Sequence, residues 1–371
     1  MVAEDCRADE LNRARTLKAV RLTSRELADL NLMAMGAYTP IVGFMGEADW
    51  LRVCNEMRLE GGTFWPVPLT LSVSDEEAGR IREGEDVALI DPETGDVAGV
   101  LEVSQKYAVD RILECRTVFR TSDPAHPGVK KVLDQGPINL GGRVRAFSEG
   151  AYRTRYADLC LRPSESRALF SEKGWSRVVA FQTRNPMHRS HEHLVKLALE
   201  FADGVLIHQV LGKLKDGDVP ADVRIRAIDA MVENYFVPGT VVQAGYPIEM
   251  RYAGPREALL HALIRQNYGC SHLIVGRDHA GVGAYYGPFD AQAIFDTLWP
   301  EALKTKILKF GETFFCRRCN GMASSRTCPH DPAYHVVISG TRQRELLASG
   351  GDIPPEFSRP EVTAVLRAHY R

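Results

Sequence analysis

The residues of this chain that could do chemistry fall into three groups. The first is Gln182-Thr183-Arg184-Asn185 followed by His188-Arg189-Ser190-His191, where a guanidinium, two amides and two imidazoles crowd one short stretch. A guanidinium is a permanent planar charge suited to oxyanions, and imidazole donates a proton or a hydrogen bond near neutral pH. One histidine alone is usually structural; two of them three residues apart, behind an Arg-Asn pair, point to anion binding. The second group, Gly276-Arg277-Asp278-His279-Ala280-Gly281, combines glycines that let a ligand approach the backbone with another fixed charge, Arg277. The third, Cys316-Arg317-Arg318-Cys319 with Cys328-Pro329-His330, sets four soft or borderline ligands at the spacing of a zinc knuckle. His335 competes with His330 for the fourth place. No open coordination position is evident, so the spacing predicts a structural metal rather than a catalytic one. Lys215, in the loop Gly212–Pro220, could reach a polyphosphate or serve only as a solvated charge.

The apolar pattern shows what must position these groups. Val178–Phe181 is a β-branched, apolar run that reads as a buried strand, and Pro186 ends it. Beyond it Leu194, Val195, Leu197, Ala198 and Phe201 recur at helical spacing. The first group therefore joins a strand's carboxyl end to a helix N-terminus, where unpaired N–H groups and the helix dipole favour anions. His188 and His191 share a face of the first turn. The same alternation continues on both sides. Helices are predicted over Ser164–Lys173, Val223–Glu233, Pro255–Gln266 and Ala291–Leu298; strands over Gly204–Val210, Thr240–Ala244, Leu273–Val275 and Ile307–Phe315. Such a pattern implies parallel strands with crossover helices, an open doubly wound sheet that binds ligands at its carboxyl edge. The first part of the chain has another texture. After a helix at Ser24–Met33 come short strands at Pro66–Val73, Asp86–Ile90, Val97–Val103 and Thr117–Phe119, the middle two joined by the turn Asp91–Asp96. That texture predicts a small barrel or a mixed α+β domain. Two helices, Arg342–Ala348 and one from Pro360, close the chain.

A length of 371 residues exceeds one ordinary core, so several domains are expected. The net charge of −2 gives no support to a nucleic-acid binder that relies on a basic surface. The polar N-terminus is no secretory signal, and no apolar run approaches the ~20 residues that span a bilayer. The expectation is a cytoplasmic protein without membrane or nucleic-acid partners. No G-x-x-x-x-G-K-[ST] pattern occurs, so a P-loop kinase module is not expected.

Together the first two motifs, with GAYTPIVGFMGEADW, GKLKDGDVP, ISGTRQRELLASG and PPEFSRPEV elsewhere, resemble those of the ATP sulfurylase (sulfate adenylyltransferase) family over nearly the whole chain. The resemblance implies a PUA-like β-rich domain (1–160), a Rossmann-like nucleotidyltransferase domain (161–310) and a small C-terminal domain with the zinc knuckle (311–371). It implies conversion of MgATP and sulfate to adenosine 5′-phosphosulfate and pyrophosphate, by direct in-line attack of sulfate on the α-phosphate. By resemblance Gln182, Arg184 and the Ala280 backbone hold sulfate. His188 and His191 meet the phosphates and the leaving pyrophosphate, with Asn185 and Arg277 nearby. The two motifs as a whole, Gln182 to Asn185 with the histidines and Gly276 to His279, receive ATP. Mg2+ arrives with the nucleotide, zinc sits on Cys316, Cys319, Cys328 and His330, and a homodimer is the implied assembly. Two rivals are an H-x-x-H nucleotidyltransferase acting on another acceptor, such as a phosphorylated vitamin, and an RNA-binding protein made of a PUA-like domain and a knuckle.

Overall fold

The computed structural model describes residues 1–212, 219–337 and 340–370, so Lys215 lies outside the described residues. Among the described residues no helix is long and apolar enough to cross a membrane.

The N-terminal part is built on a mixed six-stranded sheet: β1 (Lys18–Arg21), β2 (Gly43–Phe44), β3 (Ser72–Val73), β4 (Asp86–Ile90), β5 (Val97–Ala108) and β6 (Ile138–Ala146). The order is β1-β4-β5-β6-β2, with β3 also on β6; β1 and β4 are parallel and the other pairs antiparallel. Two expectations are corrected here. Of Pro66–Val73 only Ser72–Val73 pairs as a strand, because Pro66 and Pro68 have no N–H to give a ladder. Thr117–Phe119 is not a strand but the end of the helix Arg111–Val118. Asp110 caps that helix by accepting from the Leu113 N–H (2.9 Å), and the Thr117 hydroxyl donates back to the Leu113 carbonyl (2.8 Å). Local capping outweighs the β-propensity of so short a run.

The central sheet contains β7 (Val178–Thr183), β8 (Gly204–Val210), β9 (Val241–Tyr246), β10 (His272–Val275) and β11 (Lys306–Lys309), all parallel. Alternate residues of its strands feed two separate cores, as strand periodicity requires. Val179, Phe181, Val205 and Ile207 pack with the helices Arg189–Leu199 and Ala221–Tyr235. Val178, Ala180 and Leu206 pack with the helix Pro255–Asn267, in a core continuous with the N-terminal part. The order β11-β10-β7-β8-β9 carries the functional consequence. The chain leaves β7 towards β8 and β9, then returns to the opposite side of β7 as β10. The crevice between the carboxyl ends of β7 and β10 is therefore the topological switch point, where such sheets bind ligands. Motifs some ninety residues apart in sequence open onto it from its two sides.

Ile307–Phe315, expected as one strand, is two strands in different sheets. After β11 the chain turns at Gly311 and Glu312 and re-forms as β12 (Thr313–Cys316), which pairs antiparallel with β13 (Gly321–Ser324) and β14 (His335–Val336). An unbroken apolar pattern hides such a change of partner. Ala291–Leu298, expected as one helix, is a helical turn, Asp290–Ala293, running into the 3-10 turn Ile294–Thr297. The last two helices, Gly340–Ala348 and Pro360–Tyr370, add Leu347, Val362 and Leu366 to the core beneath β7 and β8.

Candidate active site

Thr183 ends β7 by closing a tight turn: its hydroxyl donates to the Asn185 carbonyl (2.7 Å) and accepts from the Asn185 N–H (3.0 Å). Arg224, fully buried, donates to the Arg184 carbonyl (3.0 Å), to Gln209 Oε1 (3.1 Å) and to the Val210 carbonyl, which lashes the turn to β8. His188 then stands as the N-cap of the helix Arg189–Leu199, and its N–H donates to His191 Nδ1 (3.4 Å). That bond leaves the His191 proton on Nε2. The two imidazoles stack with centroids 3.8 Å apart, and Phe357 covers His188 at 4.6 Å. The helix end is less open than the sequence suggests, because the Arg189 N–H is taken by the Phe357 carbonyl (2.9 Å).

Gln182, Asn185, His188, His191, Gly276, Arg277, Asp278 and His279 line one cavity of about 550 Å3, with β12 to β14 supplying Thr313, Phe315, Met322 and Val336 on its other wall. Such a volume is that of a small-molecule site. Arg277 stands at the rim, nearly half exposed, paired with Glu312 (3.0 Å) and Asp278 (3.3 Å). Burial holds His191 down at about 4, and burial followed by the nearby Arg265 holds His279 at about 4. His188 lies well below the ordinary histidine range, first from burial and then from His191 beside it. The imidazoles of the unliganded site are thus neutral hydrogen-bond donors, and its fixed charge comes from arginine.

Three of the expected residues lie apart from this cavity lining. The Thr183 hydroxyl is consumed by its turn. Arg184 donates to the Tyr252 hydroxyl (3.0 Å) and lies over that ring at 5.2 Å, and Ala280 accepts from the Gly254 N–H (3.0 Å). Arg184 and Ala280 therefore both contact the segment Tyr252–Gly254, while Gln182 and His279 line the cavity. Tyr252 (φ 60°), Asp278 (φ 53°) and Ala280 (φ 56°) all sit in left-handed backbone that non-glycine residues avoid. Strain of this kind persists where surrounding structure enforces it, and functional sites are where it clusters. No described residue accepts from the N–H of His279 or Ala280, so both remain available to an anion.

Several contributors carry no motif. His126, from the N-terminal part, accepts the Gly128 and Val129 N–H groups at Nδ1, so its Nε2–H donates to the Tyr252 carbonyl (3.1 Å). Both carboxylate oxygens of buried Asp29 accept from Nη2 of Arg251 (2.8 and 2.6 Å), the neighbour of Tyr252. The N-terminal part thus clamps the segment that faces Arg184. Arg189 joins the two walls, since its guanidinium lies 5.0 Å from the Phe315 ring and donates to the Pro355 carbonyl (3.1 Å). Single residues contacting distant backbone leave no periodic trace in a sequence.

Among the described residues, the donor atoms of Cys316, Cys319, Cys328 and His330 form one group, all within 4.8 Å of one another. His330 Nδ1 is 3.5, 3.2 and 3.7 Å from the three sulfurs, and Cys319 and Cys328 are 3.7 Å apart. Zn–S and Zn–N bonds of ~2.3 and ~2.1 Å give tetrahedral edges of roughly 3.6–3.8 Å, close to these separations, and three thiols with an imidazole are the donors that ion takes. The Cys319 N–H donates to Cys316 Sγ (3.4 Å), as a folded knuckle requires. His335 has Nε2 3.6 Å from Cys328 Sγ but stacks on Phe314 at 3.6 Å, outside the four-atom group.

A sequence profile of the ATP-sulfurylase family matches residues 157–369, and one for the PUA-like domain matches residues 1–149. Sulfate adenylyltransferase from Chlorobaculum tepidum is 58% identical over 97% of this chain and 89% of its own length. The enzyme of that name from Syntrophobacter fumaroxidans is 57% identical over 98% and 89%. Among solved structures, one described as a hexameric APS kinase from Thiobacillus denitrificans superposes with a TM-score of 0.75 at 25% identity. That match covers 99% of this chain but 66% of the other, so the solved protein extends well beyond the part shared here.

Proposed function

Because the chain belongs to the ATP-sulfurylase family, we propose that the crevice between β7 and β10 is where it joins ATP to sulfate. The protein is an enzyme, a sulfate adenylyltransferase, whose reversible reaction yields adenosine 5′-phosphosulfate and pyrophosphate. The observation that carries the site assignment is the convergence, at the switch point, of the loops after β7 and β10 on one cavity. In this reading the triphosphate lies along His188, His191, Asn185 and Arg277, with Gly276, Asp278 and His279 beneath it. Sulfate is held by Gln182, Arg184 and the Ala280 N–H. The difficulty of the reaction is a dianion attacking a polyanion, and fixed donors offset that repulsion while holding an in-line geometry. The cavity lining offers no serine or cysteine beside a base apart from Ser190, whose hydroxyl points to the Thr313 carbonyl (3.4 Å). Direct displacement is therefore favoured over a covalent adenylyl-enzyme. As pyrophosphate departs, His188 and His191 donate hydrogen bonds to the oxygens on which charge grows.

Mg2+, typical of this class of enzyme, supplies neutralisation of the phosphate charge when bound. The carboxylates of Asp278, Glu312 and Glu356 in the cavity lining are hard oxygen donors suited to it or its waters. Zinc on Cys316, Cys319, Cys328 and His330 would be structural. The proposed division is 1–160, 161–310 and 311–371, the last an appendage that shares the second's core. ATP as substrate argues for the cytoplasm, and light scattering checks the homodimer. The decisive assay is molybdate-dependent ATP cleavage. Molybdate mimics sulfate but gives an unstable mixed anhydride, so continuous pyrophosphate release is expected. Pyrophosphate release that ignores both sulfate and molybdate would overturn the reading.

A further inference from the structure

Behind the two motifs runs a chain of polar side chains whose two inner members, Tyr246 and His261, belong to neither motif. Tyr246, at the end of β9, donates its hydroxyl to Gln182 Oε1 (2.8 Å). Gln182 Nε2 lies 3.4 Å from His261 Nε2, and His261 Nδ1 lies 3.0 Å from His279 Nε2. Tyr246 and His261 are fully buried, on β9 and on the helix Pro255–Asn267. The four groups connect the first motif to the second beneath the crevice.

We infer that Tyr246 and His261 are positioning residues that fix which end of the Gln182 amide faces the oxyanion and which nitrogen of His279 carries its proton. The proton order follows from the cation at one end. Arg265 lies 4.3 Å from the centre of the Tyr246 ring, so the hydroxyl turns its hydrogen away from that charge and towards Gln182 Oε1. With its oxygen committed, Gln182 presents its NH2 group to His261 and to the site. An amide nitrogen can donate only, so His261 Nε2 is the acceptor and the His261 proton sits on Nδ1. That proton is donated to His279 Nε2, which leaves His279 with Nδ1–H as its remaining donor. Each group has one role, and the chain ends in two donors at an anion site: the second N–H of Gln182 and the Nδ1–H of His279. Reversing the order would aim an amide oxygen at His261 and bare a nitrogen lone pair on His279. Glu257, 3.7 Å from His261 Nε2, is itself occupied by the N–H groups of Arg251 (2.8 Å) and Ala253 (3.1 Å).

This inference rests on Gln182 being a sulfate contact, and the experiment separates the two. Steady-state kinetics with ATP and sulfate varied separately are measured for Gln182→Ala, Tyr246→Phe and His261→Gln, and for the last two each combined with Gln182→Ala. Tyr246→Phe and His261→Gln are expected to raise the sulfate KM about fivefold, the size of one lost hydrogen bond, and His261→Gln, since His261 also holds His279 beneath the triphosphate, to raise the ATP KM as well. Added to Gln182→Ala, Tyr246→Phe should cost nothing more in the sulfate KM, because it acts through Gln182. Full additivity of Tyr246→Phe with Gln182→Ala in the sulfate KM, or an ATP KM that His261→Gln leaves unmoved, would overturn the inference. If Gln182→Ala raises the sulfate KM and the other two do not, the positioning role alone falls; if Gln182→Ala leaves it unmoved, the sulfate assignment falls with it. Nitrogen-15 spectra of histidine-labelled enzyme give a second readout, independent of kinetics. Both His261 and His279 should be protonated on Nδ1, and Tyr246→Phe should abolish that order; Nε2–H on His279 in the parent enzyme would overturn it.

Discussion

The β7–β10 wall of the cleft stands between two apolar layers, whereas the buried cluster belonging to β12–β14 consists of Phe314, Cys316 and Ala323, with Cys328 against it. Hydrophobic burial, at ~25 cal/mol per Å2, holds the first wall in place before any ligand arrives. Three short strands bury too little for that, and the four metal donors do for them what a core does elsewhere. One cavity is thus built half on packing and half on coordination chemistry. The chemistry-bearing groups lie on the packed half, where a buried hydrogen-bond chain can hold them. The coordinated half contributes shape, through Phe315, Met322 and Val336.

If that division is right, damage to the packed wall should strike the chemical step. His188→Ala and His191→Ala are expected to lower kcat about 10²–10³-fold, the usual loss for a donor aimed at developing charge, with little change in the ATP KM. Separate titration of ATP and sulfate checks this. A raised ATP KM with intact turnover would move the histidines from the leaving group to ground-state binding. Arg184→Ala should act on the other substrate and raise the sulfate KM roughly tenfold to a hundredfold. Arg184→Lys should recover little, because an ammonium cannot replace the planar fork that also lies against Tyr252.

Damage to the coordinated wall should look different. Metal analysis is expected to find one zinc per chain, and Cys319→Ser should lose it, lower the melting temperature and leave residual turnover. Because Phe315 and Met322 line the cavity, kcat/KM for ATP should still fall about tenfold, less than the loss an ångström of displacement at the reacting atoms can cause. Protein purified without chelator that contains no zinc would remove the basis of the comparison.

The same division explains what could be read in advance. The packed wall announced itself through periodicity: Val178–Phe181 and Gly204–Val210 are apolar runs of strand length, and their strands form with those residues in place. The knuckle announced itself through cysteine spacing. The switch point followed from neither, since strand order is set by which side of β7 the chain chooses on its return. Tyr252, His126 and His261 leave no sequence signal because each works through single contacts to residues outside its own element, and a pattern needs repetition. The break between β11 and β12 was missed for a related reason. Lys306–Lys309 and Thr313–Cys316 are both strands, and nothing in side-chain alternation tells which sheet a strand joins.

The smallest expected effect tests the packed wall through its protons. His191 and His279 titrate near 4 in the folded protein, below the ~6.5 of an unfolded chain, because burial disfavours the imidazolium. Between those values the unfolded state binds more protons than the folded one, so stability rises with pH across this window. The contribution is complete above about 6.5 and is lost as pH falls towards 4. The ceiling is about 1.4 kcal/mol per pH unit for each group. The real slope is smaller, because both rings are only half-buried and solvent screens part of the penalty. Acid also strips zinc from thiolates, which would lower stability over a similar range for a different reason. The difference between parent protein and His279→Asn cancels that term, since the knuckle is the same in both. Melting temperatures from pH 7 down to 4.5 should therefore fall less steeply for His279→Asn than for the parent, and the two curves should converge on acidification. Parallel curves would mean that His279 is not held neutral by burial, which leaves His191 and the knuckle to account for the acid sensitivity.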